Sequence, residues 1–283
     1  MHKQLISAKQ LYVQLTNKNL VILDASMPPV GGAKSPVRGW PDTVIPHARR
    51  FDIAKVFSDL TSQLPHTMPN EEYFTQQVRK LGINQHSQIV VYDDIGIFSS
   101  ARPWWMFKAM GHKNIAVLDG GLPAWLAAGL PTTSAVTLEQ PQGNFVAHFN
   151  KNYFCNAKDV LHAITTANAT VLDARSASRF TGQEKDPRVG VRSGHMPNAL
   201  NLHYQSLLRN GVMLNKEQLK QCFIEIGATK EPFIMSCGSG VTACILALAA
   251  TIIGYTKIQV YDGSWSEWGA DVNLPVSPYT IKN

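Results

Sequence analysis

The sequence predicts an α/β protein of two tandem, duplicated domains, each a parallel sheet with helices on both faces. Three observations carry this. Short apolar segments of strand length alternate with helix-like segments through the whole chain, the pattern of strands buried on both faces. The chain repeats itself. Its 283 residues hold two domains of ~150 residues, each large enough for its own core.

The repeat is visible in three places. Val21-Ile22-Leu23-Asp24-Ala25 recurs as Thr170-Val171-Leu172-Asp173-Ala174, an offset of 149. His47-Ala48-Arg49 pairs with His195-Met196-Pro197 at an offset of 148. Asp119-Gly120-Gly121 with Trp125 pairs with Asp262-Gly263-Ser264 and Trp268 at 143. A nearly constant offset signals a duplicated domain, not a solenoid. The halves are residues 1–140 and 150–283, joined by a polar, turn-rich stretch, 131–144, that reads as a linker over the surface.

In the first half the spacing predicts a strand over 20–23 and a helix over 71–81, capped by Asn70 and stopped by Gly82. A strand over 88–92, a helix over about 100–110 and a strand over 115–118 follow. In the second half Asn156 caps a helix over 157–166, and Val171-Leu172 is a buried strand. Asn215 caps the next helix, which Gly227 ends. Phe233–Met235 is a strand, Val241 to Ile253 an apolar helix ended by Gly254, Ile258–Tyr261 a strand, and Trp265 to Gly269 a short helix. Reactive sites of such sheets lie beyond the carboxyl ends of the strands.

Composition excludes several classes. Hydrophobic residues at 45% and aromatics at 9% mark an ordinary globular chain, and average Gly and Pro exclude collagen-like and low-complexity types. Net charge is +6, but no basic run argues for nucleic acid; the balance can still attract small anions. Four cysteines, none spaced C-x-x-C, argue against a disulfide scaffold and a zinc site. Neither a secretory h-region nor an 18-residue apolar run is present, so the expected setting is the cytoplasm, with no membrane partner.

The chemistry concentrates in Ile234-Met235-Ser236-Cys237-Gly238-Ser239-Gly240-Val241-Thr242-Ala243. An apolar strand ends at Cys237 and a helix begins about four residues later, with two glycines and a serine between. Glycines let successive N–H groups point inward, and the helix start adds unpaired N–H groups. A cysteine at the centre of that cradle is expected to be held as a thiolate nucleophile. The alternative is a buried free cysteine at a strand end.

The segment from Cys237 to Ala243 resembles the active-site loop of the rhodanese superfamily. Its Gly238-Ser239 is similar to the tandem-domain 3-mercaptopyruvate sulfurtransferases, whereas thiosulfate sulfurtransferases usually carry basic residues at those two positions. Asp262-Gly263-Ser264-Trp265-Ser266-Glu267-Trp268 and Gly194-His195-Met196-Pro197-Asn198-Ala199 resemble the family's C-terminal and central signatures. The resemblance covers nearly the whole chain and implies two rhodanese-like domains. It implies that sulfur from 3-mercaptopyruvate passes through a Cys237 persulfide to a thiol, a thioredoxin-like protein or cyanide. No metal or organic cofactor is implied. The N–H groups of Gly238, Gly240, Val241 and Thr242 would hold the outer sulfur. Arg179 and Arg188 match the arginines that bind the substrate carboxylate, which a planar guanidinium suits. Without the resemblance they read as surface partners of Glu184 and Asp186.

The resemblance also implies a proton relay. Ser239 matches its serine and His66 its histidine; the aspartate expected after Phe51-Asp52-Ile53 is Ala54 here, leaving Asp52 or Asp59 as substitutes. The repeat aligns Asp93 with Cys237 and shows no glycine-rich cradle after it, so the first domain is expected to be inactive. A thiosulfate sulfurtransferase, and a carrier that is only loaded with persulfide by a protein partner, are the rival readings. A phosphatase of the related fold would need C-x5-R, and position 243 is Ala. Asp173 and Arg175 read as structural, and His47 and His195 as equivalent architectural positions. Trp104 and Trp105 read as packing residues and Arg102 as facing the cleft. Cys244 reads as core, on the same helical face as Cys237; Cys155 and Cys222 are bystanders.

Overall fold

The computed structural model describes residues 4–28, 37, 39–136 and 140–277. It divides into two compact units. The first comprises Met1–Thr61, Met68–Asn150 and Leu208–Met213; the second comprises Ser62–Thr67, Lys151–Leu207 and Leu214–Asn283. Each unit therefore incorporates a six-residue arm from the other half of the sequence, which a single division at residues 140–150 does not anticipate.

The first unit holds strands β1 (Leu5–Ile6), β2 (Leu20–Asp24), β3 (Arg49–Arg50), β4 (Gln88–Tyr92) and β5 (Ile115–Leu118). Its helices are α1 (Ala8–Tyr12), α2 (Glu71–Lys80), α3 (Ala101–Ala109) and α4 (Gly121–Ala127). The strand order is β1-β5-β4-β2-β3, and every pairing in this sheet is parallel. The second unit repeats it with β6 (Phe154–Cys155), β7 (Thr170–Asp173) and β8 (Leu200–Asn201), followed by β11 (Phe233–Ser236) and β12 (Ile258–Tyr261). The order β6-β12-β11-β7-β8 is again wholly parallel. Its helices are α5 (Ala157–Thr166), α6 (Ala177–Phe180), α7 (Lys216–Glu225), α8 (Ala243–Ile253) and α9 (Ser264–Trp268). The arm in the first unit is an antiparallel hairpin, β9 (Leu208–Arg209) with β10 (Val212–Met213).

Local chemistry explains the boundaries. Asn70 caps α2 by accepting the Tyr73 N–H at 2.9 Å. Asn156 with Asp159, and Asn215 with Gln218, form reciprocal capping boxes at α5 and α7. Gly254, at φ +107°, ends α8. In β4, Ile89 to Tyr92 are fully buried, the reason the strand is apolar without alternation. Helix α8 is buried from Ala243 to Ala250, so it too is apolar all round. It starts at 243 rather than 241, because the loop before it is still turning.

The structure alters two expectations of organisation. The stretch after residue 130 is not loose over the surface. Thr133 forms a bridge with Val44, the Gly143 backbone lies against Ile83, and Phe145 is fully buried among Phe74, Phe107 and His112. The single aromatic in a polar run anchors it. The second concerns the histidines. Leu23 pairs with Arg49 and Leu172 with Leu200, which sets the local offset at 151. His195 therefore corresponds to Val44, both being bridge residues, while His47 (φ +66°) corresponds to Asn198 (φ +61°). His47 is exposed; His195 stacks on Phe180 at 3.9 Å, and burial pushes its pKa down.

No helix among the described residues is long and apolar enough to cross a membrane. No group of three or more His, Cys, Asp or Glu among them could hold a metal ion.

Candidate active site

β11 is the middle strand of its sheet and delivers Cys237 to the carboxyl edge, where the side chain is 1% exposed. Gly240 turns the chain at φ +74°, a conformation that suits glycine. The loop is then tied to the first turn of α9. The Cys237 carbonyl accepts the Trp265 N–H at 3.0 Å, and the Gly238 carbonyl accepts the Ser266 N–H at 2.9 Å and its hydroxyl at 2.6 Å. In a trans peptide the N–H lies opposite the C=O, so fixing these carbonyls turns the N–H groups of Gly238 and Ser239 away from α9.

Ser264 is a residue of the candidate site that sequence reasoning missed. Its Oγ accepts the N–H groups of Cys237 and Gly240, each at 3.1 Å, and donates to the Tyr261 carbonyl at 2.9 Å. It is fully buried and sits at φ +49°, where the repeat has Gly121 at φ +54°. A side chain at such a φ costs about 1 kcal/mol, tolerated when its bonds over-determine the conformation. The signal was available: Asp119-Gly120-Gly121 becomes Asp262-Gly263-Ser264, a glycine replaced where only glycine is comfortable.

His66 belongs to the arm included in the second unit, and its Nδ1 lies 3.0 Å from the Ser239 Oγ. Ser239 is 5% exposed and two residues from Cys237, so the pair can pass a proton at the edge of the thiol loop. Asp52 and Asp59 are engaged in turns of the other unit. Asp52 accepts the N–H groups of Ala54 and Lys55, and Asp59 the N–H and hydroxyl of Thr61.

The arginines divide. The Arg188 guanidinium lies 3.0 Å from where a Cβ on Gly238 would be, so it borders the loop, and a side chain at 238 would push the guanidinium aside by a few tenths of an ångström. It also pairs with Asp186 at 3.2 Å. Arg179 pairs with Glu184 at 3.1 Å and makes no hydrogen bond or ion pair to the loop among the described residues. The Ser178 hydroxyl and Arg179 together hold the Glu184 carboxyl below its ordinary range. Arg175 forks onto Asp173, donates to the Gly194 carbonyl and lies 4.1 Å over the Trp265 ring. That buried group braces the end of β7 beside α9. Val241 is 5% exposed, and the partly exposed Thr242 occupies the cap position of α8.

Among the remaining cysteines, Cys244 is fully buried and its thiol lies 3.3 Å from the Gly240 carbonyl. Cys237 is on the strand end, not on α8, so helical spacing does not relate the two. Burial, with Asp159, Asp262 and Glu267 nearby, drives the Cys155 thiol far up, leaving it inert. Arg102, Trp104 and Trp105 are all buried.

The first unit contains a cradle after all. The Asp93 carboxylate accepts five backbone N–H groups, from Ile95 and Gly96 on Oδ1 and from Phe98, Ser99 and Ser100 on Oδ2, at 2.8–3.0 Å. Its carbonyl accepts the Leu122 N–H at 2.9 Å, the counterpart of the Trp265 bond to Cys237. The loop needed only Gly96, at φ +132°, to curl; a carboxylate in place of a thiol fills it from within.

Comparison with known proteins agrees with this geometry. The Rhodanese-like domain model matches residues 7–128 and again 156–271. The chain is 38% identical over 275 residues to the 3-mercaptopyruvate sulfurtransferase of Escherichia coli K12, covering 96% of this chain and 97% of that one. It is 34% identical to the thiosulfate sulfurtransferase of Rattus norvegicus, covering 95% and 92%. The crystal structure of SseA from Escherichia coli, a 3-mercaptopyruvate sulfotransferase, superposes with a TM-score of 0.83 at 34% identity, covering 93% of this chain and 99% of that one. With a repeated parallel sheet, a cysteine loop at the end of its middle strand and two matches to one domain model, the chain belongs to the rhodanese family.

Proposed function

We propose that the chain is a 3-mercaptopyruvate sulfurtransferase whose second domain, nominally residues 150–283, is catalytic and whose first, nominally 1–140, is inactive. The observation that carries this reading is the His66–Ser239 pair at 3.0 Å beside Cys237, in a loop whose own side chains carry no cation. Expelling pyruvate from mercaptopyruvate requires a proton on carbon, whereas cleaving thiosulfate requires none.

The Cys237 thiolate attacks the substrate sulfur. The S–S bond forms as the carbon–sulfur bond breaks, and the electron pair of that bond leaves as the pyruvate enolate. The proton of the substrate thiol passes by Ser239 and His66 to the enolate carbon, so pyruvate departs and Cys237 carries a persulfide anion. The N–H groups of Gly238, Val241 and Thr242 hold the outer sulfur, whereas that of Gly240, expected to join them, is taken by the Ser264 Oγ and fixes the loop instead. Arg188, beside Gly238, receives the substrate carboxylate, and Arg179 assists once it exchanges Glu184 for substrate. A small thiol, a thioredoxin-like protein or cyanide then takes the sulfur. A reducing compartment such as the cytoplasm suits this chemistry. In the first domain the Asp93 carboxylate occupies the cradle and offers no nucleophilic sulfur.

The test is to incubate the reduced protein with 3-mercaptopyruvate and a thiol, following pyruvate release and intact mass. Steady pyruvate with one sulfur mapped to Cys237, and neither in Cys237→Ser, is the expected result. An active serine variant refutes the mechanism. Arg188 beside the loop favours one second reading, a thiosulfate donor whose dianion it would neutralise; a higher kcat/KM for thiosulfate would establish it.

A further inference from the structure

The first unit contains a cavity of about 870 Å³ remote in sequence from the cysteine loop. Its walls include Leu20, Ile22, Val44 and Leu81, and Ile22 and Val44 belong to the buried core of this unit. The same cavity is lined by Lys18, Arg49, Arg50 and Lys80, and by no Asp or Glu among the described residues. Arg50 is neutralised by Asp24 at 2.7 Å. Arg49 is not: its Nη1 donates to the Leu81 carbonyl at the end of α2, and among the described residues it has no carboxylate partner. Burial lowers its pKa, the mark of a guanidinium partly desolvated without a counter-charge. Among the described residues, the Lys80 ammonium donates only to the Gln77 side chain.

The repeat sharpens the point. By strand register Arg49 corresponds to Leu200, so this edge-strand position accepts an apolar residue in the other unit. One carbonyl uses one of the five donors of a guanidinium, and the charge remains. An arginine kept half-buried at an apolar position, beside a lysine and above a hydrophobic floor, is a site lacking its anion. The volume lies within the range of pockets for small organic ligands.

We propose that this cavity binds an organic anion with an apolar body, a carboxylate or sulfonate carried on a ring system, with Arg49 and Lys80 on the acidic group. The ring rests on the apolar wall formed by Leu20, Ile22 and Val44. The site does not share residues with the cysteine loop, so its occupancy and sulfur transfer are separately measurable.

The experiment is a fluorescence titration of the full chain with 8-anilinonaphthalene-1-sulfonate and with its uncharged analogue N-phenyl-1-naphthylamine. The wild-type protein is expected to bind the sulfonate about tenfold more tightly, a preference that fades with salt. Arg49→Gln with Lys80→Gln is expected to abolish the preference, leave binding of the neutral ring, and leave pyruvate release within about twofold of wild type. Should Arg49→Gln unfold the unit, Lys18→Gln with Lys80→Gln alters exposed side chains only and is expected to weaken sulfonate binding about threefold. Equal affinity for the two dyes, or sulfonate binding unchanged in the variants, overturns the proposal.

Discussion

Replacing Ser264 tests how the cysteine loop is held. In Ser264→Ala the N–H groups of Cys237 and Gly240 lose their shared acceptor at 3.1 Å, and the Tyr261 carbonyl loses a donor at 2.9 Å. Each buried N–H left unpaired costs about 1–3 kcal/mol, and partial relaxation brings the total to roughly 2–4 kcal/mol. For a unit of this size that lowers Tm by about 5–15 °C. Ser264→Gly loses the same bonds but is at home at φ +49°, which returns about 1 kcal/mol. The expected order of stability is therefore wild type, then glycine, then alanine. Loop N–H groups no longer fixed should also lower kcat at least tenfold with little change in KM, because the loss falls on the persulfide-forming step. Differential scanning calorimetry and steady-state pyruvate release measure both. An alanine variant within 1 kcal/mol of wild type, or more stable than the glycine variant, refutes the reasoning.

Other consequences are as direct. Asp93→Ala strands five N–H groups and is expected to cost the first unit about 3–5 kcal/mol, part of which added formate restores; a thermal scan showing no formate effect would contradict the filled cradle. Arg188→Ala should raise KM for 3-mercaptopyruvate about tenfold and Arg179→Ala less, since only Arg188 borders Gly238; unchanged KM in both would remove the arginines from substrate binding. Burial lowers the pKa of His112, and likewise those of His195 and His203, so below about pH 6.5 the unfolded chain binds more protons than the folded one. Stability is thus present above that pH and is lost as pH falls through the lowered folded values. Tm should drop from about pH 7.5 to about pH 5.5, and less so in His112→Gln; a flat or rising Tm would be the opposite sign.

The chemistry-bearing loop was legible because its ingredients are consecutive. An apolar strand, Cys237, two glycines and a helix start fall within ten residues, and local sequence alone dictates such a turn. The parallel α/β class followed from strands too apolar to face water, and the long helices from Asn70, Asn156 and Asn215 at their caps. Strands β1, β3, β6 and β8 escaped notice because two residues carry no periodicity; neighbouring strands impose their conformation.

What the sequence by itself determined was the duplication, the fold class and the cysteine loop proposed to carry the nucleophile, all properties of short contiguous segments. Only the tertiary structure decided which distant groups meet. The arm carrying His66 lies 173 residues from Ser239, and Ser264 lies 27 residues from Cys237. A hydrogen bond between them depends on loop closure and on the register of β11 against β12, which no local propensity encodes. The filled cradle at Asp93 has the same cause: a carboxylate looks like a lost cysteine in a string of letters. It becomes an internal ligand only once five N–H groups converge on it.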